Sequence, residues 1–185
     1  MKIIYDAFID TEEKIYKLIN KSKPSSDYIF TVDNLEETAG WVYITGKINE
    51  SKYSINYSSA IFEHSFVIKF FTKLINLKDE IVLFLDYEGS YPMLYAKRTN
   101  NNTLRFIFAH DYILFKNDEN DDECLPLYKI ECDILIDKKE LLEKFYNIFY
   151  PHIIYLDKNS SYDNKYDTKK SKKYLKLIKD YLDEK

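Results

Sequence analysis

Glycine is nearly absent, with 3 in 185 residues. Few positions are therefore built for positive φ, and few places allow backbone amides to close around a phosphate. In keeping with that, the chain contains no G-x-S-x-G, no glycine-rich phosphate loop, no H-E-x-x-H and no dinucleotide fingerprint. Arginine is as scarce: only Arg98 and Arg105 stand among 27 basic residues. Bidentate reading of phosphate or guanine has little material. The two cysteines, Cys124 and Cys132, form no C-x-x-C and have no histidine at metal spacing. They read as reduced structural thiols. No apolar run approaches the ~20 residues that span a bilayer. The first residues, MKIIYDAFIDTEEK, carry one lysine and then acids, unlike a signal peptide. A cytoplasmic protein with no membrane partner is expected.

The formal net charge of −4 is unevenly placed. Residues 158–185 sum to +4 and the remainder to −8. An acidic body repels phosphate backbones, so no nucleic-acid partner is expected; a basic protein partner suits it better. What the chain does hold is aromatic: 18 Tyr and 12 Phe. Their abundance alongside Ile, Lys, Asn and Asp fits an AT-rich coding bias. Tyrosines also anchor interfaces. The length is that of a single domain, enough to bury roughly 70% of the unfolded surface without disulfides or metal.

Periodicity predicts the elements. Asp10 with Glu13 resembles a capping box opening the helix TEEKIYKLINK. Strands are expected at 27–33, 40–49 and 52–58, with NLEETA between the first two as a polar loop or single turn. The last two are close enough for a hairpin. Residues 63–76 place Phe66, Val67, Phe70, Phe71, Leu74 and Ile75 on a wide helical stripe. Strands at 80–88, 91–99 and 103–112 come next at hairpin spacing. After the acidic loop 117–123, a strand at 127–136 puts Ile130, Cys132, Ile134 and Ile136 on one face. Asp137, with Glu140 three residues on, caps a helix that Pro151 should end. The fold class is α+β: a mainly antiparallel sheet of about six to seven strands, helices packed on one face, plus a C-terminal helix. Residues 1–156 form that domain. Residues 157–185 read as a polar linker and an amphipathic helix docked on it.

Local chemistry is thin. His64 reads as a solvent-facing first-turn residue, and His152 as a cation at a helix end beside the dipole. His110 precedes Asp111, but strand neighbours face opposite ways. Asp118, Asn120 and Asp122 match the start of a calcium loop, yet Glu123 stands where glycine should and Lys129 where the final glutamate should. No catalytic residue, metal ligand or cofactor is expected, and no enzyme.

The stretch from Ile55 to Phe108, with a strand ending in Tyr57-Ser58, a double-striped helix and the pair Glu88-Gly89, is one half of a pattern. The other half is ECDILIDKKELLEKFYNIF, with its Phe145-Tyr146 end. Over about half of the chain this resembles a loose family of small bacterial proteins similar to the immunity proteins of polymorphic toxin systems. The resemblance carries no catalytic residues. It implies a protein-binding module that neutralises a cognate, basic toxin domain by occluding its active surface. The expected anchors are aromatic residues of the sheet (Tyr87, Tyr91, Tyr95, Phe106), with about half of them expected as core instead, because alternate strand residues face inward. The expected rim and steering contacts are Glu88, Tyr91, Asp118, Glu119, Asp121, Asp122 and Glu123. Two other expectations stand beside it: a small hydrolase or transferase pairing His110 with a distant carboxylate, and a structural module that forms homo-oligomers through its last helix.

Overall fold

A computed structural model describes residues 9–59, 63–85, 92–115, 124–159 and 165–184. In chain order these form α1 (Ile9–Lys21), β1 (Phe30–Thr38), β2 (Trp41–Ile48), β3 (Ser51–Ser58) and α2 (His64–Leu74). The remaining elements are β4 (Glu80–Phe84), β5 (Met93–Arg98), β6 (Thr103–Phe115), β7 (Cys124–Asp137), α3 (Lys138–Asn159) and α4 (Lys165–Asp183). The α+β class and the order of elements are those the pattern predicts. The strands divide into two antiparallel sheets, β1-β2-β3 and β4-β5-β6-β7.

Turn chemistry sets the first sheet. Ala39 and Gly40, at φ 52° and 86°, make a two-residue turn between Thr38 and Trp41. Two consecutive left-handed residues match the twist of the flanking strands. The polar segment expected as a loop is thus mostly strand: pairing with β2 outweighs its weak propensity. Asn49, at φ 54°, turns the β2–β3 hairpin as expected, and its Oδ1 accepts the Ile29 N–H at 2.8 Å. Gly46 is required by crowding. The Tyr53 hydroxyl crosses it to donate to the Thr31 carbonyl at 2.7 Å, and a Cβ would strike both.

Each sheet carries one bulge, and each bulge reverses the facing of the strand on its far side. In β1, Val32 pairs with Gly46 but Asn34 with Thr45, leaving Asp33 extra. Residues beyond it swap faces, so Leu35 and Glu37 lie opposite the buried Ile44 and Val42. In β7, Glu131 is the extra residue between the pairs Phe108–Cys132 and Ala109–Ile130. Cys132, Ile134 and Ile136 therefore share the main core, while Ile130 packs on the opposite side. The expected common face of these four residues stops at the bulge.

The four-stranded sheet is covered twice. Ile81, Leu83, Leu94, Ala96, Phe106 and Phe108 face α2, α3 and the first sheet in one core. Val82, Phe84, Met93, Tyr95, Ile107 and Ala109 face Ile15 and Ile19 of α1 in a second. Arg105 fixes α1. It grips Asp133 with two bonds of 2.9 and 2.7 Å and donates to the Ile19 carbonyl at 2.9 Å. Helices thus lie on both faces of this sheet, α1 opposite the other three, because strands apolar on both sides need two covers. The C-terminal helix α4 packs against α2 and α3, burying Thr168, Ser171, Leu175 and Ile178. Among the described residues no helix is long and apolar enough to cross a membrane.

Asp137 caps α3 as predicted, its Oδ1 accepting the Glu140 N–H at 3.1 Å. Pro151 does not end the helix, which continues to Asn159. Its missing N–H costs the bond to the Asn147 carbonyl, yet packing carries the helix on: Ile153 is fully buried and Leu156 lies against the core. We predict that Pro151→Ala, which restores that bond at an exposed position, stabilises the fold by about 1–2 kcal/mol in urea unfolding. An unchanged or lower midpoint would mean that the proline's geometry is itself needed.

Candidate functional site

The bulge in β1 determines where chemistry collects. By turning Glu37 inward it points a carboxylate at the start of α2 and the middle of α3. His64, first residue of α2, is buried at 4% exposure rather than solvent-facing. His152 lies inside α3, not at its end, since the helix runs through Pro151. Glu37 Oε2 sits 3.3 Å from His64 Nε2 and 3.2 Å from His152 Nε2. The two imidazoles meet edge to face with centroids 5.1 Å apart. Their flanks are tethered. The fully buried Tyr57 hydroxyl is 2.7 Å from His64 Nδ1, and the Ser59 hydroxyl donates to Glu37 Oε1.

Electrostatics follow from this arrangement. The His152 contact, then that of His64, holds the Glu37 carboxyl well below the usual carboxylate range, against burial, which pushes it up. Burial drives the Tyr57 hydroxyl well above its ordinary value, helped by Glu37 and Asp167, so it stays protonated. The start of α2 is fixed from outside. Glu63, its N-cap, makes no side-chain cap bond; Asp167 of α4 instead accepts the Ser65 N–H at 3.0 Å. Lys170 of α4 reaches Glu63 at 3.2 Å. These groups hold two imidazoles and one carboxylate around a common point, an arrangement suited to a cation.

The third histidine is separate. His110 on β6 lines an open groove of about 690 Å³ with Asp33, Lys52 and Glu131. Its Nε2 lies 2.7 Å from the Ser54 carbonyl, which can only accept, so Nε2 carries the proton and straps β6 to β3. A second, smaller groove of about 380 Å³ runs between α3 and α4. Tyr146, Tyr150 and Ile154 line one wall, and Lys172, Leu175, Lys176 and Lys179 the other. Tyr146 and Tyr150 stack with centroids 5.3 Å apart, and Tyr150 is 46% exposed.

The expected contact residues Glu88, Tyr91, Asp118, Glu119, Asp121, Asp122 and Glu123, with Tyr87, lie outside the described residues. So do the calcium-like positions. Tyr95 and Phe106, expected on a binding face, are core: Tyr95 is 2% exposed and donates to Glu80 at 2.8 Å, and Phe106 is fully buried. Cys132 is buried as expected, its thiol pushed up to about 12 by burial. Glu37 was missed because it sits in a run of acids that reads as a turn, 27 and 115 positions from its partners. The one local hint was an interior acid opposite the apolar stretch of β2. No family model, curated protein or solved structure matches the chain.

The cluster predicts a sharp contrast between neighbours. Glu37→Ala leaves two buried imidazole nitrogens facing a gap and should cost about 2–4 kcal/mol in urea unfolding. Glu36→Ala, on the exposed side of the same strand, should change stability by less than about 0.5 kcal/mol. Equal effects would remove Glu37 from its central role.

Proposed function

We propose that the chain is a non-enzymatic protein-binding module of the immunity kind, which neutralises a cognate bacterial toxin by covering its working surface. The observation that carries this reading is the α3–α4 groove. It presents a stacked tyrosine pair to solvent with lysines opposite. Rigid aromatic anchors inside a polar rim are the usual material of an interface hot spot. Lys172 and Lys179 are drawn to Asp157 and Asp183 at 2.8 Å each, while Lys176 has no ion-pair partner among the described residues. The groove therefore fits a partner segment that offers an apolar side chain flanked by carboxylates. The acids at 118–123, on which a basic partner would settle, lie outside the described residues. His110 is occupied as a strap between sheets, so the hydrolase reading gains no support from it.

The test is calorimetric titration against an inactivated toxin encoded beside this gene. A tight complex is expected, and Tyr150→Ala with Lys176→Glu should weaken it by about 30-fold or more, the scale of a 2 kcal/mol hot spot. No complex with that toxin would sink the proposal. Unchanged affinity in the double variant would sink the groove as its face. A dimer in light scattering that the same substitutions dissolve would assign the groove to self-association instead.

A further inference from the structure

The distances around Glu37 are odd for hydrogen bonds. A charge-assisted N–H···O contact closes to about 2.7–2.9 Å, yet the two imidazole contacts stand at 3.3 and 3.2 Å. Neither closes as a hydrogen bond: Glu37 Oε2 and His152 Nε2 are buried with no hydrogen-bond partner. Two buried polar atoms that face each other without bonding call for a third group. The separations have another meaning. Ligands on a tetrahedral zinc ion, at about 2.0–2.1 Å from the metal, lie about 3.3 Å from one another. One ligand atom from each of Glu37, His64 and His152 falls within 4.8 Å of the others.

We propose that Glu37 Oε2, His64 Nε2 and His152 Nε2 bind a zinc ion that ties β1, α2 and α3 together. The donor set is right for it: imidazole nitrogens favour zinc over magnesium or calcium, and one carboxylate completes a His₂Glu set. The outer contacts are right as well. With Nε2 on the metal, His64 Nδ1 carries the proton and donates to the Tyr57 oxygen 2.7 Å away. Ser59 holds the other carboxylate oxygen, which leaves Oε2 as a single-point ligand. The three side chains would leave a fourth position on the ion for a water. The ligands come from three elements and His64 is buried, so the ion acts as a cross-link in the fold. Binding it converts three side chains separated by up to 115 positions into one joint. This site is independent of the groove reading, and either can fail alone.

The experiment uses the full chain, purified without a histidine tag. Protein from zinc-supplemented medium, desalted, should retain about one zinc per chain by elemental mass spectrometry. Metal-stripped protein given ZnCl₂ at a hundredfold excess over its Kd should melt roughly 5–10 °C higher. His152→Ala should lose both effects, and His110→Ala should keep both. Wild-type imidazole ¹⁵N spectra add a readout that needs no variant: zinc should shift the resonances of His64 and His152 and leave His110 in place. A folded wild type that neither retains zinc nor melts higher overturns the proposal. So does a His152→Ala protein that binds like wild type, or a spectrum in which only His110 responds.

Discussion

Everything around β1 turns on keeping the Glu37 carboxylate inside the fold without stranding it. An uncompensated buried charge costs several kcal/mol, so its neighbours must supply nitrogen from fixed positions. They do so from two helices that share no local sequence with the strand. His64 is placed only if α2 begins at the right residue, and α2 cannot cap itself: Asp167 of α4 accepts the Ser65 N–H in place of the N-cap side chain. His152 is placed only if α3 survives Pro151. The C-terminal helix is therefore a working part of the domain. It holds the start of α2 that presents His64, and through Lys172 and Asp157 it is tied to α3 at 2.8 Å.

The wealth of aromatics has a plain structural use. The four-stranded sheet is apolar on both faces, and large rings fill both layers. Phe71 stacks on Phe145 at 3.9 Å, while Phe106 meets Phe30, Phe71 and Phe145 within 6.5 Å. Tyrosines in these layers need partners for their hydroxyls. Tyr53 finds the Thr31 carbonyl, Tyr95 the Glu80 carboxylate and Tyr28 the Leu135 carbonyl at 2.7 Å. Burial pushes Tyr28 up to about 12. The double-sided sheet absorbs the rings.

Element order was legible from periodicity because hydrophobic spacing is a local property. The cap at Asp137, the Asn49 turn and the stripe of α2 each depend on residues within a few positions of one another. The features that escaped depend on pairing. A bulge is invisible in one strand taken alone, since the extra residue is defined by its partner: Asp33 against β2, Glu131 against β6. The separation of Ile130 from Cys132, Ile134 and Ile136 has that origin, and so does the inward facing of Glu37, in a segment that reads from sequence as a polar loop or single turn. Pro151 misled for the same reason. Its local penalty is real, but burial of Ile153 and the contact from His152 to β1 outweigh it. The candidate site was illegible because its residues meet only after both helices have docked.

The candidate groove and the candidate cluster share one helix, α3. His152 points inward from α3 at the level where Tyr150 and Ile154 wall the outer groove, with Pro151 between them. Proline here removes one helical bond and so loosens the turn that must hold both faces in register. Something else has to stiffen it. Inside, His152 stands against the Glu37 carboxylate of β1 at 3.2 Å; outside, Lys172 ties Asp157 to α4 at 2.8 Å. The partner proposed for the tyrosine pair would be spared the entropy of ordering that turn to the extent that packing of His152 against β1 already holds it. In the proposed mode of binding, the packing of α3 against β1 on its inner side would help to hold the outer tyrosine pair in place.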